Sequence, residues 1–287
     1  MSITKKSNNI LIFSLLLFIT LINYSYAQQI RTPSPSPLCE YKQRVGLTDI
    51  SIIYSRPGVK GRKIFGDLVP YDKLWRTGAN MATKITFSED VKIEGQELAA
   101  GSYALFTIPG LNEWTMIFNS NTEQDGTAHY DESKDVLRVK VKSATQQGNL
   151  ESLVIGINDI RNDHANLIVA WANTMVSARI DVNTDAIVMR DIERAMNSSA
   201  DAGTYWAAAN YYFETDRDLS KALEWIDKSI ELGNNRFWVV HLKAKIQQKL
   251  GDCQGAVSTA ETSKNLAREA GNDDYLALND KLIASCK

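Results

Sequence analysis

The spacing of apolar residues changes near residue 182, and this change limits the chain to two kinds of domain. Between 46 and 181, apolar and polar residues alternate in short β-branched or aromatic runs, such as Trp114, Met116 and Phe118. A period of two is typical of half-buried β-strands, and seven or more such runs with close turns predict an antiparallel β-sandwich. Residues 182–287 instead have the helical period, so we expect an α+β chain of two domains.

The helical half also aligns with itself when it is shifted by 34 residues. The segment from Asp218 to Ala222 then matches the segment from Asp252 to Ala256. Thirty-four residues is the period of tetratricopeptide repeats, which the chain resembles over about 184–270, with 273–286 as a capping helix. This resemblance predicts a tetratricopeptide-like domain that binds a protein partner. An irregular helical bundle is the alternative.

The first 27 residues predict an export signal. Two lysines precede an apolar run of thirteen residues, 10–22. Ala27 ends the short stretch of residues that a signal peptidase recognises before it cleaves. A membrane span needs about 20 apolar residues, so a cleaved signal is favoured over the alternative, a transmembrane anchor. We expect a periplasmic or secreted protein that has no membrane span after cleavage near Ala27.

The prolines near the predicted cleavage site indicate a poorly ordered leader. Three of the six prolines alternate with serine and threonine before residue 38, and this composition favours an extended chain. The predicted division is a signal peptide at 1–27, a Pro/Ser-rich leader at 28–45, the β-sandwich domain at 46–181 and the helical domain at 182–287.

After export, the three cysteines of the chain would lie in an oxidising compartment. They are Cys39, Cys253 and Cys286. A turn near residue 271 brings Cys253 and Cys286 to the same end of an antiparallel helix hairpin, so these two are the candidate disulfide. Three unpaired, buried cysteines are the alternative. The chain has no CxxC motif and no cysteine paired with a nearby histidine, so the sequence predicts no metal site.

Charge and motif content argue against polyanionic partners and nucleotide cofactors. With 32 lysines and arginines against 34 aspartates and glutamates, the net charge is −2, which predicts no nucleic-acid partner. Neither a GxGxxG fingerprint nor the Gly-Lys-Ser/Thr of a P-loop occurs. We therefore predict no nucleotide or flavin fold and no cofactor.

One segment, 54–80, carries a strong positive bias. It holds six lysines and arginines and two aspartates, which gives a net charge of +4. Guanidinium groups bind anions through bidentate hydrogen bonds. The segment therefore predicts an anion site. In the structural alternative, its arginines pair with carboxylates and hold a long loop on the sandwich. The acidic partners expected in that case are Asp49, Asp67 and Asp72.

Five ordered motifs occur in the β half. They are Tyr54–Pro57, Lys60–Gly66, Leu74–Asn80, the run from Ala99 to Pro109, and Glu113-Trp114. Together they resemble the bacterial secreted family named domain of unknown function 2911, over about 46–180. The resemblance implies an export signal, often a helical repeat tail, and no known reaction. If the family shares a site, the resemblance implies that its polar residues are Arg56, Lys60, Arg62, Arg76, Thr77 and Asn80, beside Trp75.

Trp75 is the candidate for stacking against a sugar ring, because aromatic faces bind the apolar surfaces of sugars. We expect a binding or scaffold module of the cell envelope, with a small anionic or glycan ligand on the sandwich and a protein partner on the helical tail. A hydrolase acting on an anionic or sugar substrate is the alternative. It needs a carboxylate or histidine beside the arginines in one cleft, and no histidine of the chain lies in a catalytic motif.

Overall fold

The computed structural model describes residues 30–286. The predicted signal peptide, 1–27, lies outside the described residues, so its cleavage stays a prediction. Within the described range, nine strands are followed by six α-helices, and a short 3-10 helix, Glu132–Lys134, precedes the eighth strand. The strands are β1 (Leu38–Val45), β2 (Thr48–Ser55), β3 (Ala79–Phe87), β4 (Val91–Ile93), β5 (Gln96–Leu98), β6 (Gly101–Ile108), β7 (Glu113–Asn119), β8 (Asp135–Asn158) and β9 (His164–Val182). The helices are α1 (Thr184–Met196), α2 (Ala202–Glu214), α3 (Leu219–Glu231), α4 (Phe237–Lys249), α5 (Cys253–Glu269) and α6 (Asp273–Ser285).

The strands form one antiparallel sheet in the order β1-β2-β3-β6-β7-β8-β9-β4-β5. β8 pairs with β7 through residues 135–142 and with β9 through residues 143–158, so this long strand passes from one layer to the other. The sheet folds back on itself where the Val59 N–H donates to the Glu151 carbonyl at 2.7 Å. The predicted α+β class is confirmed, and the two layers are parts of one continuous sheet.

The period of two places large side chains of the central strands in the core. Trp114, Met116 and Phe118 of β7 are each at most 1% exposed, because alternate residues of a strand point to the same face. The other face of β6 and β7 is also buried, and there the rings of Phe106 and Tyr130 lie 5.1 Å apart. The segment between β7 and β8 therefore covers a second, smaller apolar cluster.

β1 corrects the predicted extent of the leader. It lies inside the segment 28–45, which the sequence predicts to be poorly ordered, and it pairs with β2 along its full length. Its half-buried positions are Cys39, Tyr41 and Gln43, so the apolar alternation that marks a strand is weak. The leader ends before Leu38, and the sheet begins there.

The helical half repeats its contacts at an offset of 34 residues. Asp218 and Asp252 each accept a hydrogen bond from the backbone N–H three residues later, at 3.0 and 2.9 Å, and so cap α3 and α5. Ser229 donates to the carbonyl of the first residue of α2 at 2.6 Å, and Ser263 donates to that of α4 at 2.8 Å. A repeated helix hairpin is therefore present, while its assignment to the tetratricopeptide class stays a prediction. No helix described between residues 30 and 286 has the length and apolar character to cross a membrane.

The structure places the two candidate disulfide partners side by side. Cys253 begins α5, Cys286 follows α6, and both are partly buried thiols. A hydrogen bond with the Cys286 side chain raises the pKa of the Cys253 thiol, and burial raises it further. The disulfide itself stays a prediction, and Cys39 lies on β1 in the other half of the chain.

Candidate functional site

The basic segment forms the connection between β2 and β3, which we call the β2–β3 connection (residues 56–78). Near its end, Trp75 pairs with Thr107 of β6 through two backbone hydrogen bonds of 2.8 Å. Near its start, Gly58 pairs with Ser152 of β8. The connection is therefore tied to both layers of the sheet, which limits where its side chains can lie.

A cavity of about 380 Å³ lies between the β2–β3 connection, the leader and β9. Three of the residues that line it are basic, namely Lys60, Arg62 and Arg76. Much of the remaining wall is apolar, as at Val69 and Trp171. No Asp, Glu or His of the described chain lines it. The cavity therefore combines positive charge with apolar surface and has no negative charge in its wall.

The six basic side chains of segment 54–80 form no ion pair with any residue between 30 and 286. Asp49, one of the expected partners, instead pairs with Arg44, whose Nε lies 2.7 Å from Asp49 Oδ1. The ion pairs expected under the structural alternative are therefore not formed in the described chain. The positive charge of the connection stays available to a ligand.

The three cations that line the cavity differ in what holds them. Arg62 donates from Nε and Nη2 to two backbone carbonyls of its own loop, at 3.0 and 2.6 Å. Lys60 Nζ donates to the Pro35 carbonyl at 3.3 Å. Arg76 Nε is buried and has no hydrogen-bond partner in the described chain, and a buried donor without an acceptor is costly. Arg76 lines the cavity, so its guanidinium group can donate hydrogen bonds to an anion bound there.

Three other residues of the predicted site do not line the cavity. Arg56 Nε donates to a backbone carbonyl of β8 at 2.8 Å. Thr77 is fully buried and donates from Oγ1 to Thr107 Oγ1 at 3.0 Å. Asn80 Nδ2 donates to a serine hydroxyl of β2 at 3.1 Å. These side chains hold the ends of the connection on the sheet, because their polar groups find partners on neighbouring strands.

Trp75 belongs to an aromatic cluster, and its role as a stacking platform stays a prediction. It is 8% exposed, and its ring stacks on Trp171 with centroids 6.0 Å apart and planes inclined by 17°. Its edges contact Phe65 and Trp114, and its Nε1 donates to the Gly78 carbonyl at 3.1 Å. The ring lines the cavity, and most of its surface packs within the core.

Two residues at this site have no local signal in the sequence, namely Glu151 and Trp171. The Trp171 Nε1 donates to the Glu151 carbonyl at 3.3 Å, and Glu151 Oε1 accepts a hydrogen bond from the Lys60 N–H at 2.9 Å. Both lie on long strands and reach the β2–β3 connection only because the sheet closes. The alternation along β9 predicts that Trp171 is buried but does not show what it contacts.

The arrangement provides the means to bind an anion. Proton transfer in proteins most often uses an imidazole or a carboxylate within hydrogen-bond reach of the reacting atom. Glu151 contacts the connection, but its Oε1 accepts a backbone N–H and the residue does not line the cavity. Between residues 30 and 286, no group of three or more His, Cys, Asp or Glu side chains is placed to hold a metal ion.

Comparison with known proteins identifies one family. Neither the curated proteins nor the solved structures include a significant match to the chain. The model of a family described as "Protein of unknown function (DUF2911)" matches residues 36–180, which is half of the 287 residues. The match extends from the leader beside the cavity into β9, and it confirms the family that the five motifs resemble. This chain therefore belongs to the DUF2911 family of proteins of unknown function.

Proposed function

We propose that this protein is an exported binding module of the cell envelope. Its β domain binds a small anionic molecule, and its helical domain binds a protein partner. The observation that carries the first part is the convergence of Lys60, Arg62 and Arg76 on one cavity whose wall, in the described chain, holds no carboxylate. Like charges repel one another, so three cations without a carboxylate in the described wall favour a negatively charged occupant. The predicted signal peptide at 1–27 supports export.

Binding fits this cavity better than hydrolysis. A hydrolase on an anionic or sugar substrate needs an acid or base that converges with the arginines. The described lining residues include neither a carboxylate nor an imidazole, whereas binding needs only the charges and apolar walls that are present. Anion binding is therefore the function that the geometry supports best.

The helical domain offers a surface suited to a protein partner. Trp206, Leu232, Arg236 and Trp238 line an open hollow of about 470 Å³. The Arg236 guanidinium lies over the Trp238 ring, 5.1 Å from its centroid. Aromatic and arginine side chains are enriched at protein interfaces, and stacked helix hairpins commonly bind partners along one face. These features support a protein partner for the helical tail.

Thermal unfolding of the purified exported protein in phosphate, sulfate or acetate tests the anion site. A ligand at 100 times its Kd stabilises the native state by about 2.7 kcal/mol, which raises the Tm of a domain of this size by roughly 5–10 °C. Arg76→Gln should abolish this rise. Lys73→Gln is the matched control, because Lys73 is an exposed cation of the same connection and does not line the cavity. No rise with any anion, or an equal rise in Arg76→Gln, contradicts the proposal.

Cross-linking in intact cells tests the proposed partner of the helical domain. We expect a defined cross-linked species that is lost in Trp238→Ala, because this change removes the ring over which the Arg236 guanidinium lies. Leu250→Ala is the control, since Leu250 is an exposed apolar residue, 41% exposed, that does not line the hollow. An unchanged species in Trp238→Ala, or no cross-linked species at all, contradicts this part of the proposal.

A further inference from the structure

The wall of the β-domain cavity combines two chemistries. Lys60, Arg62 and Arg76 supply positive charge, while Leu68, which is 45% exposed, and Trp75 supply apolar surface. The volume of about 380 Å³ exceeds what a bare oxyanion needs, since one water takes about 30 Å³ in the liquid. It lies at the small end of the range of roughly 300–1,000 Å³ for pockets that hold organic ligands. The cavity therefore suits an organic molecule with a charged group and a compact apolar body.

The number of cations indicates the charge of that group. A carboxylate carries one negative charge and two coplanar oxygens, which a single arginine satisfies in bidentate fashion. A phosphomonoester carries close to two negative charges at pH 7 and has three terminal oxygens. It can therefore accept hydrogen bonds from three separate cations at once. A sulfate ester has the same shape but only one charge, so a phosphate dianion matches Lys60, Arg62 and Arg76 best.

The hydrogen bonds at the cavity support the same class of ligand. Arg62 is held by its bonds to two backbone carbonyls, at 3.0 and 2.6 Å, so its guanidinium is oriented before a ligand arrives. Arg76 Nε is buried without a partner in the described chain. No carboxylate of the described chain lines the cavity, so its wall holds positive charge without negative charge. A phosphate dianion, which only accepts hydrogen bonds, supplies that negative charge.

We propose that the cavity binds the phosphate group of a small phosphomonoester, with the apolar body of the ligand against Leu68 and Trp75. The inference rests on the proposed function, because it requires that the cavity binds an anion. It adds the chemical class of the ligand and its orientation. The phosphate lies beside the guanidinium group of Arg76, and the apolar body lies against the apolar part of the wall.

Three probes with the same phenyl ring isolate the contribution of the charged group to the affinity. They are phenyl phosphate, phenyl sulfate and benzoate. Each is titrated calorimetrically into the purified exported protein at pH 7.5 and at pH 5, together with inorganic phosphate. We expect phenyl phosphate to bind at least tenfold more tightly than the other probes at pH 7.5. The second pKa of a phosphomonoester is about 6, so its affinity should fall several-fold at pH 5. The affinity of phenyl sulfate should stay unchanged, because the sulfate ester keeps its charge.

Two variants locate the bound phosphate. Arg76→Gln removes the unpartnered donor, and Lys60→Gln removes an exposed side chain whose single hydrogen bond is 3.3 Å long, so the fold does not depend on it. Both changes should lower the affinity for phenyl phosphate at least tenfold. The Lys73→Gln variant should bind phenyl phosphate with the affinity of the wild type. Phenyl phosphate binding that survives both changes overturns the assignment of the site.

The remaining outcomes separate this inference from the proposed function. Equal affinities for the three ring probes, or a preference for benzoate, overturn the phosphomonoester assignment and leave anion binding in the cavity standing. Inorganic phosphate binding as tightly as phenyl phosphate overturns the role of the apolar wall. Failure of every probe to bind contradicts the proposed function as well.

Discussion

A methyl group added at Gly46 should break the contact between the β domain and the first helix. Gly46 begins the two-residue turn between β1 and β2, with a φ of +54°. A Cβ there would lie well inside van der Waals contact with Thr184 Oγ1 and with the Asn162 carbonyl oxygen. These two atoms are joined by a hydrogen bond of 2.5 Å, which ties the start of α1 to the turn between β8 and β9. Gly46→Ala must therefore displace both groups.

Three costs add in this variant. A left-handed backbone at a residue with a Cβ lowers the free energy of unfolding by about 1–2 kcal/mol. Overpacking costs about 1–3 kcal/mol, and a backbone oxygen cannot rotate away as a side chain can. Loss of the hydrogen bond between Thr184 and Asn162 costs about 1 kcal/mol. The free energy of unfolding of the β domain should therefore fall by about 3–6 kcal/mol.

Gly95→Ala is the matched control for backbone strain. Gly95 lies in the two-residue turn between β4 and β5 with a φ of +79°, and nothing lies within 4 Å of its added Cβ. Only the backbone cost applies, so the expected loss is about 1–2 kcal/mol. Guanidinium chloride unfolding, followed by tryptophan fluorescence, measures both variants. Equal losses would refute the steric reasoning, and adding Thr184→Ala to Gly46→Ala should recover part of the loss.

The helical domain supplies two further predictions. In protein purified from an oxidising compartment, Cys253 and Cys286 should resist alkylation until a reductant is added, and Cys253→Ser should make Cys286 reactive; alkylation of all thiols in the unreduced protein would rule out the disulfide. Burial lowers the pKa of His241, whose Nδ1 contacts Asn279 Oδ1 at 2.8 Å. The unfolded chain therefore binds the proton more readily, and stability should fall as the pH drops below about 6.5. Helical circular dichroism during urea unfolding measures this slope, which should flatten in His241→Gln; an unchanged slope would contradict the assignment.

The fold class is predictable because burial is encoded locally along each strand and helix. Trp114, Met116 and Phe118 alternate along β7, and their burial follows from the strand period without knowledge of the neighbouring strands. β1 is harder to predict. Its inward positions are partly polar, as at Gln43, and its place in the sheet depends on the tight turn at Gly46.

The candidate site is predictable only in part. Counting charges along the β2–β3 connection finds Lys60, Arg62 and Arg76, which line the cavity. The same count finds Arg56, which donates to the backbone of β8. Composition cannot separate the cations that line the cavity from the arginine that ties the connection to a strand. Both roles use the same residue type in the same segment of the chain.

The sequence by itself determines the α+β class, the order of the two halves, the family and the excess of positive charge between β2 and β3. These properties depend on composition and on spacing over a few residues. Only the tertiary structure decides that Arg76 and Trp171, 95 residues apart along the chain, line one cavity whose described wall holds no carboxylate. They meet because β8 and β9 carry the sheet back over the connection, and contacts across such a distance leave no local pattern in the sequence.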